Sequence, residues 1–183
     1  MHRLLFALCA SAFLPAFAAD TAAPPISKVF DQQLSSLERE FVPLVEAMPA
    51  EKFSFAPTAG EFKGVRTFAQ QATHVAYVNY AVAAAVLGEK NPSETDASEN
   101  GPANLKTKDD IVKYVKDSFA YAHKAMATLT DANLNQMVKS AFGNNKTPRV
   151  YMASVALWHS FDHYGQMVVY ARMNGIVPPA SRR

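Results

Sequence analysis

Two histidines near the end of the chain, His159 and His163, are four residues apart. Because an α-helix completes a turn about every 3.6 residues, side chains with this spacing lie one above the other on a single face. Two imidazoles stacked in this way can hold one divalent metal ion with little rearrangement. The spacing alone leaves a second interpretation open, in which both rings are core residues bonded to backbone or hydroxyl groups.

A third histidine, His74, lies on a separate helical segment and shares its predicted face with Gln70, Gln71 and Val78. A lone histidine on such a face is more often structural than a ligand. Together with the four-spaced pair, however, it completes a set of three neutral nitrogens from two helices. Three protein ligands with an open position are typical of catalytic metal sites, whereas structural zinc usually has four.

Further polar side chains are candidates for a pocket beside these histidines. Gln166 lies about one turn beyond His163, where it can orient a water or a substrate, and Tyr170 lies about one turn further. Tyr80 and Tyr164 are additional candidate donors, although each is equally compatible with ordinary core or surface packing. The sequence therefore indicates a pocket without assigning a catalytic residue.

A general base is not visible on the helix faces that carry the histidines. Asp162 is adjacent to His163 in sequence but points about a hundred degrees away around the helix, so it is not a predicted ligand. An acid from the loop at 89–99 is the remaining hypothesis. A three-histidine ion with a bound water would act as a Lewis acid or deliver hydroxide near neutral pH.

The elements that must position these residues are four helices. Four segments with apolar residues at three- and four-residue steps begin near Ser27, Arg66, Thr107 and Thr147. A polar stretch from Gly88 to Lys106 predicts a long loop between the second and third helices, and residues 49–66 predict an ordered loop laid across the bundle. A short extra helix from Asp131 to Val138 is predicted before the fourth helix. The expected fold class is therefore all-α, a four-helix bundle.

The first 18 residues have the pattern of a cleaved secretory signal peptide. A short basic start and an apolar stretch from Leu4 to Phe17 lead to Ala16-Phe17-Ala18, with small residues where signal peptidase reads them. The stretch is too short to span a bilayer comfortably, although an N-terminal membrane anchor is the alternative. We therefore expect a periplasmic or secreted protein without stable membrane insertion after cleavage, with a loose leader at 19–26 and one domain at 27–181.

The composition excludes several classes of function. The chain has 18 basic and 16 acidic residues and a net charge of +2, with no basic stripe, so nucleic acid is not an expected partner. The single cysteine, Cys9, lies in the predicted signal peptide, so the mature chain has no thiol nucleophile or disulfide. The seven glycines include no phosphate-binding loop, and no nucleophile elbow is present.

These residues together resemble the DinB-like family of metal-binding four-helix bundles. The resemblance extends from about Ser27 to Ser181. Its strongest part is His159-Ser-Phe-Asp-His163-Tyr-Gly-Gln166, followed by Tyr170-Ala-Arg172-Met-Asn-Gly175-Ile-Val-Pro178-Pro179. A second part is Phe53-Ser-Phe-Ala-Pro57, then Val65-Arg66-Thr67-Phe68 leading to His74-Val75-Ala76.

The resemblance implies a metal site. In members of this family, one histidine of the second helix and a four-spaced pair of the last helix bind a divalent ion. These positions correspond to His74, His159 and His163, which are all histidines here. Zinc or nickel is the expected ion, with iron, copper and manganese as alternatives, because imidazole suits several metals and geometry decides among them.

Two functions follow as expectations. The first is a metal-dependent hydrolase or transferase acting on an unidentified small molecule; characterised relatives include thiol-dependent S-transferases, a mycothiol-dependent isomerase and hydrolase-like members. The second is a non-catalytic envelope protein in which the ion is structural or the pocket binds a ligand. The predicted export signal sets this chain apart from thiol-dependent relatives, whose low-molecular-weight thiols are mainly intracellular. Because bundles of this kind often pair, a homodimer is a further expectation.

Overall fold

Four long helices dominate the computed structural model, which describes residues 23–93 and 99–182. They are α1 (Ile26–Ala47), α2 (Phe68–Leu87), α3 (Lys108–Met126) and α4 (Arg149–Met173). Short 3-10 turns lie at Ala50–Lys52 and Pro179–Ser181, and two strands, β1 (Met137–Lys139) and β2 (Lys146–Pro148), precede α4. The predicted all-α bundle is confirmed. The predicted signal peptide at 1–18 and most of the leader at 19–26 lie outside the described residues.

The packing of the helices places α2 at the centre of the site described below. Both α1 and α2 pack against α3 and against α4, so α1 and α2 occupy opposite corners of the bundle. Thirteen residues of α2 are buried, including the polar side chains of Gln71, His74 and Asn79. A helix enclosed in this way must satisfy its polar side chains with protein partners or bound ligands. None of the helices in residues 23–93 and 99–182 is long and apolar enough to cross a membrane.

Local sequence fixes where α2 and α3 begin and where α2 ends. Thr67 and Gln70 form a reciprocal capping box at the start of α2, and Thr107 and Asp110 form one at the start of α3. Each box satisfies backbone N–H groups that have no partner within the first turn of a helix. Gly88 ends α2 in the left-handed conformation at φ 71°, where glycine carries no Cβ penalty.

The segment between α1 and α2 is an ordered loop, as predicted. The ring of Phe53 packs edge-on against Phe68, with 5.5 Å between ring centroids, and Phe55 packs in the same way against Tyr170 at 5.7 Å. The backbone N–H of Phe68 donates to the carbonyl of Phe55 at 2.8 Å. These contacts fix the loop, and with it Arg66, against α2 and α4.

The short helix predicted from Asp131 to Val138 is wrong: this stretch contains turns and then β1. The side chain of Asn133 accepts from the backbone N–H of Thr130 at 2.9 Å and donates to the carbonyl of Thr128 at 2.8 Å. Such local side-chain bonds compete with helix formation. The strands then pair antiparallel, with Val138 opposite Thr147, which satisfies backbone groups that the helix would have used.

Candidate metal centre

Three histidines from two helices meet where α2 and α4 pack together. His74 comes from α2, while His159 and His163 come from consecutive turns of α4. One nitrogen from each ring lies within 4.8 Å of the others, and the Nε2 atoms of His74 and His159 are 3.2 Å apart. The structure therefore brings together all three histidines that the sequence singled out.

The ring of His74 is oriented by a loop residue. Its Nδ1–H donates to the backbone carbonyl of Glu99 at 2.7 Å, which leaves Nε2 as the nitrogen with a free lone pair. Glu99 itself has a left-handed backbone with φ 51°, a conformation that is uncommon for residues other than glycine. A backbone carbonyl on the second ring nitrogen is a common way to fix the tautomer of a metal-binding histidine.

The ring of His163 is oriented by a chain of side-chain hydrogen bonds. Its Nδ1–H donates to Oε1 of Gln71. The Nε2 of Gln71 donates to Oε1 of Gln166 at 3.0 Å, and the Nε2 of Gln166 donates to Oδ2 of Asp162 at 3.0 Å. Because a carboxylate only accepts, Asp162 fixes the direction of every bond in the chain. His163 therefore presents Nε2 towards the other histidines.

His159 is the least constrained of the three rings. Its Nδ1 is buried and has no hydrogen-bond partner among the described residues. Because Nε2 of His74 carries a lone pair, Nε2–H of His159 is the donor in the 3.2 Å contact between them. A buried polar nitrogen without a partner is costly, so the protein groups alone do not satisfy this ring.

Burial keeps the histidines neutral. Loss of solvation, together with the neighbouring His163 and His74, lowers the pKa of His159 to about 3. Loss of solvation likewise lowers the pKa of His163 to about 4, with His74 and Arg66 contributing. The pKa of His74 is also lowered, mainly by burial. Neutral imidazoles are the form that binds a metal ion.

The donor set fits a divalent transition-metal ion. Three neutral imidazoles are available, and His74 and His163 have hydrogen-bond partners on their second nitrogen. Nε2 of His159 can bind the ion once its proton moves to Nδ1 of the same ring. Two nitrogens bound to a tetrahedral ion at about 2.0–2.1 Å would be about 3.3 Å apart. The 3.2 Å between Nε2 of His74 and Nε2 of His159 matches that separation.

A polar cavity of about 460 Å³ adjoins the histidines. His163 and Gln71 are at the histidine end of this cavity, and Arg66, Gln70, Asn100 and Gln166 contribute polar groups. The remaining lining comes from Gly64 and Val65. A cavity of this size admits a small molecule, and the predicted pocket residue Gln166 lies in its wall.

The tyrosines that the sequence offered as pocket donors, Tyr170, Tyr80 and Tyr164, are not among the residues that line this cavity. Tyr170 is buried, and its hydroxyl donates to the backbone carbonyl of Arg66 at 3.3 Å, so it supports the loop before α2. Tyr80 stacks with the rings of Tyr114 and Tyr121, at centroid distances of 5.4 and 5.5 Å. Tyr164 bonds to Glu40, and burial is the main cause that raises its pKa to about 12.

The two described acids of the loop considered for a general base, Glu89 and Glu99, have different surroundings. Glu89 accepts from Lys124 at 2.9 Å and from the Tyr121 hydroxyl at 3.0 Å. Glu99, by contrast, lies beside the site: its Oε2 is 3.7 Å from Nη2 of Arg66, and its carbonyl accepts from His74. Of the loop acids that the structure describes, Glu99 is the one whose charge acts on His74.

A fourth histidine, His123, lies away from this centre. Its Nδ1 contacts Oδ1 of Asp31 at 2.5 Å, and its Nε2 contacts Oε2 of Glu38 at 3.1 Å. The ring is half-buried and joins α3 to α1. Because both nitrogens are used by carboxylates on opposite edges of the ring, His123 serves as a cross-link between helices rather than as a metal ligand.

Sequence reasoning assigned no role to Arg66 or Gln71 and considered Glu99 only as one acid of the 89–99 loop. The spacing of Gln71 could have indicated its role. Gln71 precedes His74 by three residues, just as Gln166 follows His163 by three, so each amide shares a helix face with a histidine. Arg66 and Glu99 come from loops. Their approach to the histidines depends on tertiary packing, which residue spacing does not encode.

Comparison with known proteins agrees with this architecture. The family model of the DinB superfamily matches residues 33–167. The crystal structure of a DinB-like protein from Bacillus cereus ATCC 10987 has a TM-score of 0.65 and 17% sequence identity, covering 83% of this chain and 95% of that one. The crystal structure of a DinB-like protein from Bacillus subtilis has a TM-score of 0.61 and 15% identity, covering 85% and 99%.

The two structures are too distant in sequence to indicate more than a shared fold, and no curated protein matches this chain. The family model, in contrast, spans well over half of the sequence and includes all three histidines. The chain belongs to the DinB superfamily.

Proposed function

We propose that this protein is an exported metal-dependent enzyme, a hydrolase or transferase, that binds one divalent ion through His74, His159 and His163. Zinc or nickel is the proposed ion, and the substrate is a small polar molecule. The observation that carries the proposal is the meeting of three neutral imidazoles from two helices beside a cavity of about 460 Å³. The family membership is consistent with a metal site.

The number and position of the ligands favour a catalytic over a structural ion. Structural zinc is usually closed by four protein ligands, whereas catalytic zinc keeps three and an open position. Here the group of candidate ligands found among the described residues has three members. One of them, His163, also lines the cavity, so a molecule in the cavity would lie next to the ion.

The protein's own groups have separable roles in this proposal. The three histidines bind the ion, while Gln71 and the carbonyl of Glu99 hold two of the rings in the required tautomer. When bound, the ion would supply Lewis-acid chemistry and lower the pKa of a water molecule. Arg66 and the amides of Gln70 and Gln166 provide the polar wall against which a substrate is oriented.

Metal content is the first test. The mature chain would be purified without a histidine tag, together with a His159→Ala, His163→Ala double variant, and each analysed by inductively coupled plasma mass spectrometry. About one equivalent of ion in the parent and none in the variant is expected from a single three-ligand site. If both proteins are folded and remain metal-free after incubation with zinc and nickel, the metal proposal is rejected.

A structural role for the ion is the competing function, because the histidines connect α2 to α4. Thermal unfolding of metal-free and reloaded protein separates the two roles: any ion that binds only the folded state stabilises it, but a structural ion is needed for the fold. We expect the metal-free protein to remain folded. Metal-dependent turnover of ester and phosphoester model substrates, lost in His163→Ala, would support catalysis; a metal-free chain that cannot fold would favour the structural role.

Export is proposed from the N-terminal pattern alone. The basic start, the apolar stretch and the small residues before position 19 are typical of a signal peptide. Expression of the full chain in a Gram-negative host, followed by periplasmic extraction and N-terminal sequencing, tests this directly. We expect a periplasmic product that begins near Ala19; an intact N-terminus in the membrane fraction would instead indicate an anchor.

A further inference from the structure

The wall of the cavity beside His163 carries a guanidinium group. Arg66 lies immediately before Thr67, the residue that caps α2, and its side chain lines the cavity together with His163 and Gln71. The side chain is 33% exposed, so the group is accessible from solvent yet partly desolvated. An arginine in this setting is a recognition element rather than a freely solvated surface charge.

Two described residues, Asn100 and Glu99, contact the guanidinium of Arg66. Nε donates to Oδ1 of Asn100 at 2.9 Å, which fixes the plane of the group. Nη2 lies 3.7 Å from Oε2 of Glu99, a distance longer than a hydrogen bond, and the Glu99 side chain is 58% exposed. Among the described residues, no hydrogen bond from Nη1 is present. An exposed pair of this kind is weak, so an incoming anion can displace Glu99.

The electrostatic environment of the cavity favours an anion. The candidate ligands found among the described residues are three neutral imidazoles, so the ligands themselves do not offset the charge of a bound ion. The described residues that line the cavity include one charged side chain, that of Arg66, and no carboxylate. Arg66 and a divalent ion would therefore both attract negative charge into the same space.

We propose that Arg66 makes this cavity a binding site for an oxyanion, so that the substrate carries a carboxylate or phosphate group held by the guanidinium fork. The planar fork of arginine matches both groups with two parallel hydrogen bonds. The amides of Gln70 and Gln166 supply further polar groups along the same wall. The inference rests on the proposed function only in that the ion and the anion occupy one cavity.

Anion binding can be measured by NMR without an activity assay. Isotope-labelled mature protein, metal-free and zinc-loaded, is titrated with acetate and with its neutral analogue acetamide, and the metal-free protein also with inorganic phosphate. The side-chain Nε–H signal of Arg66 and the backbone signals of 64–71 report binding. We expect saturable shifts with acetate or phosphate and none with acetamide. The anion that binds more tightly identifies the chemical group.

Two variants and a control make the test specific. Arg66→Gln is expected to bind the anion about ten- to a hundredfold more weakly, the range for loss of a charge-assisted hydrogen bond. Arg66→Lys keeps the charge but not the fork, and we expect intermediate binding. Arg172→Gln, which removes an exposed arginine that donates to Ser181, should leave anion binding unchanged.

Two results would overturn the inference: no saturable anion binding by the parent, or equal binding by the parent, Arg66→Gln and Arg66→Lys. The latter would mean an adventitious ion only. Zinc content measured on the same samples separates this inference from the proposed function. Protein that holds zinc but binds no anion overturns the inference alone. Protein that binds acetate through Arg66 but never holds zinc overturns the metal proposal and retains the anion site.

Discussion

The Nδ1–H of His163 and Oε1 of Gln71 form a buried hydrogen bond between α4 and α2. Gln71 is itself held by Gln166, whose amide donates to the carboxylate of Asp162 one turn away on α4. The carboxylate thus determines, through two amides, which nitrogen of His163 carries the proton. In the proposed metal centre, the orientation of His163 would therefore depend on Asp162, which is not itself a proposed ligand.

The first prediction concerns Gln71 itself. Gln71→Leu keeps the volume of the side chain but removes the acceptor for Nδ1–H of His163. We expect affinity for zinc to fall about ten- to a hundredfold, the usual cost of losing an outer partner of a metal-binding histidine. Competition with a chromophoric chelator measures this change. Gln70→Leu is the matched control, because Oε1 of Gln70 accepts the backbone N–H of Thr67 and caps α2 instead.

The second prediction concerns Asp162. Asp162→Asn replaces a group that only accepts with one that can also donate, so the direction of the hydrogen-bond chain is no longer fixed. Because Asp162 and Gln166 are exposed, we expect zinc affinity to fall by less than about tenfold. The same chelator competition applies, with Asp117→Asn as a control in an exposed pair on α3. A loss as large as that of Gln71→Leu would mean that Asp162 contacts the ion.

The histidines were predictable from the sequence, whereas most of their supporting groups were not. The spacing of His159 and His163 requires a shared face once α4 forms, and the second helix offers His74 on its buried side. A contact such as that between His74 and the carbonyl of Glu99 depends on how a loop 25 residues away folds back. Backbone carbonyls leave no trace in residue identity, so sequence reasoning has no access to them.

The strands β1 and β2 before α4 could not be predicted from the local sequence. Short apolar stretches such as that around Met137 and Val138 suit a helix or a strand about equally well. What decided the outcome was the antiparallel pairing of β1 with β2, together with the side-chain bonds of Asn133 to nearby backbone groups. The long periodic segments carried enough residues to be assigned correctly, and this eight-residue segment did not.

The third prediction is a pH dependence of the metal-free protein. Burial, with charge from neighbouring groups, lowers the pKa of His159 to about 3 and that of His163 to about 4, from 6.5. The unfolded chain therefore binds protons as the pH falls below 6.5, while the folded chain takes them up only near 4 or below. Stability is retained above pH 6.5 and falls as the pH decreases from 6.5 to about 4 for His163 and to about 3 for His159.

Urea unfolding of metal-free protein at about pH 7, 5.5 and 4.5 tests this slope, which should not exceed about 1.4 kcal/mol per pH unit for each histidine. His159→Asn removes one of the titrating groups, so we expect a shallower slope in that variant. Zinc should oppose the loss, because it binds the neutral form of the rings. Equal slopes in the parent and His159→Asn would contradict the assignment of the effect to this ring.

The fourth prediction concerns the glycine that follows Glu99 and Asn100. Gly101 has φ 78°, and an added Cβ would lie 3.1 Å from a ring carbon of Tyr114 and 3.3 Å from Cβ of Thr73. Gly101→Ala must therefore move the loop away from α2 and α3, and with it the carbonyl of Glu99 that holds His74. We expect a loss of stability of about 1–2 kcal/mol from the left-handed backbone and the close contact, and weaker zinc binding.

Gly175→Ala separates the two causes, since Gly175 has nearly the same backbone conformation, φ 76°, with open space where a Cβ would lie. This control should lose about 1 kcal/mol in urea unfolding and bind zinc like the parent. Gly101→Ala should lose both stability and zinc affinity, because only there does the added carbon displace a group that orients a ligand. If the two variants bind zinc equally well, the carbonyl of Glu99 does not contribute to the metal centre.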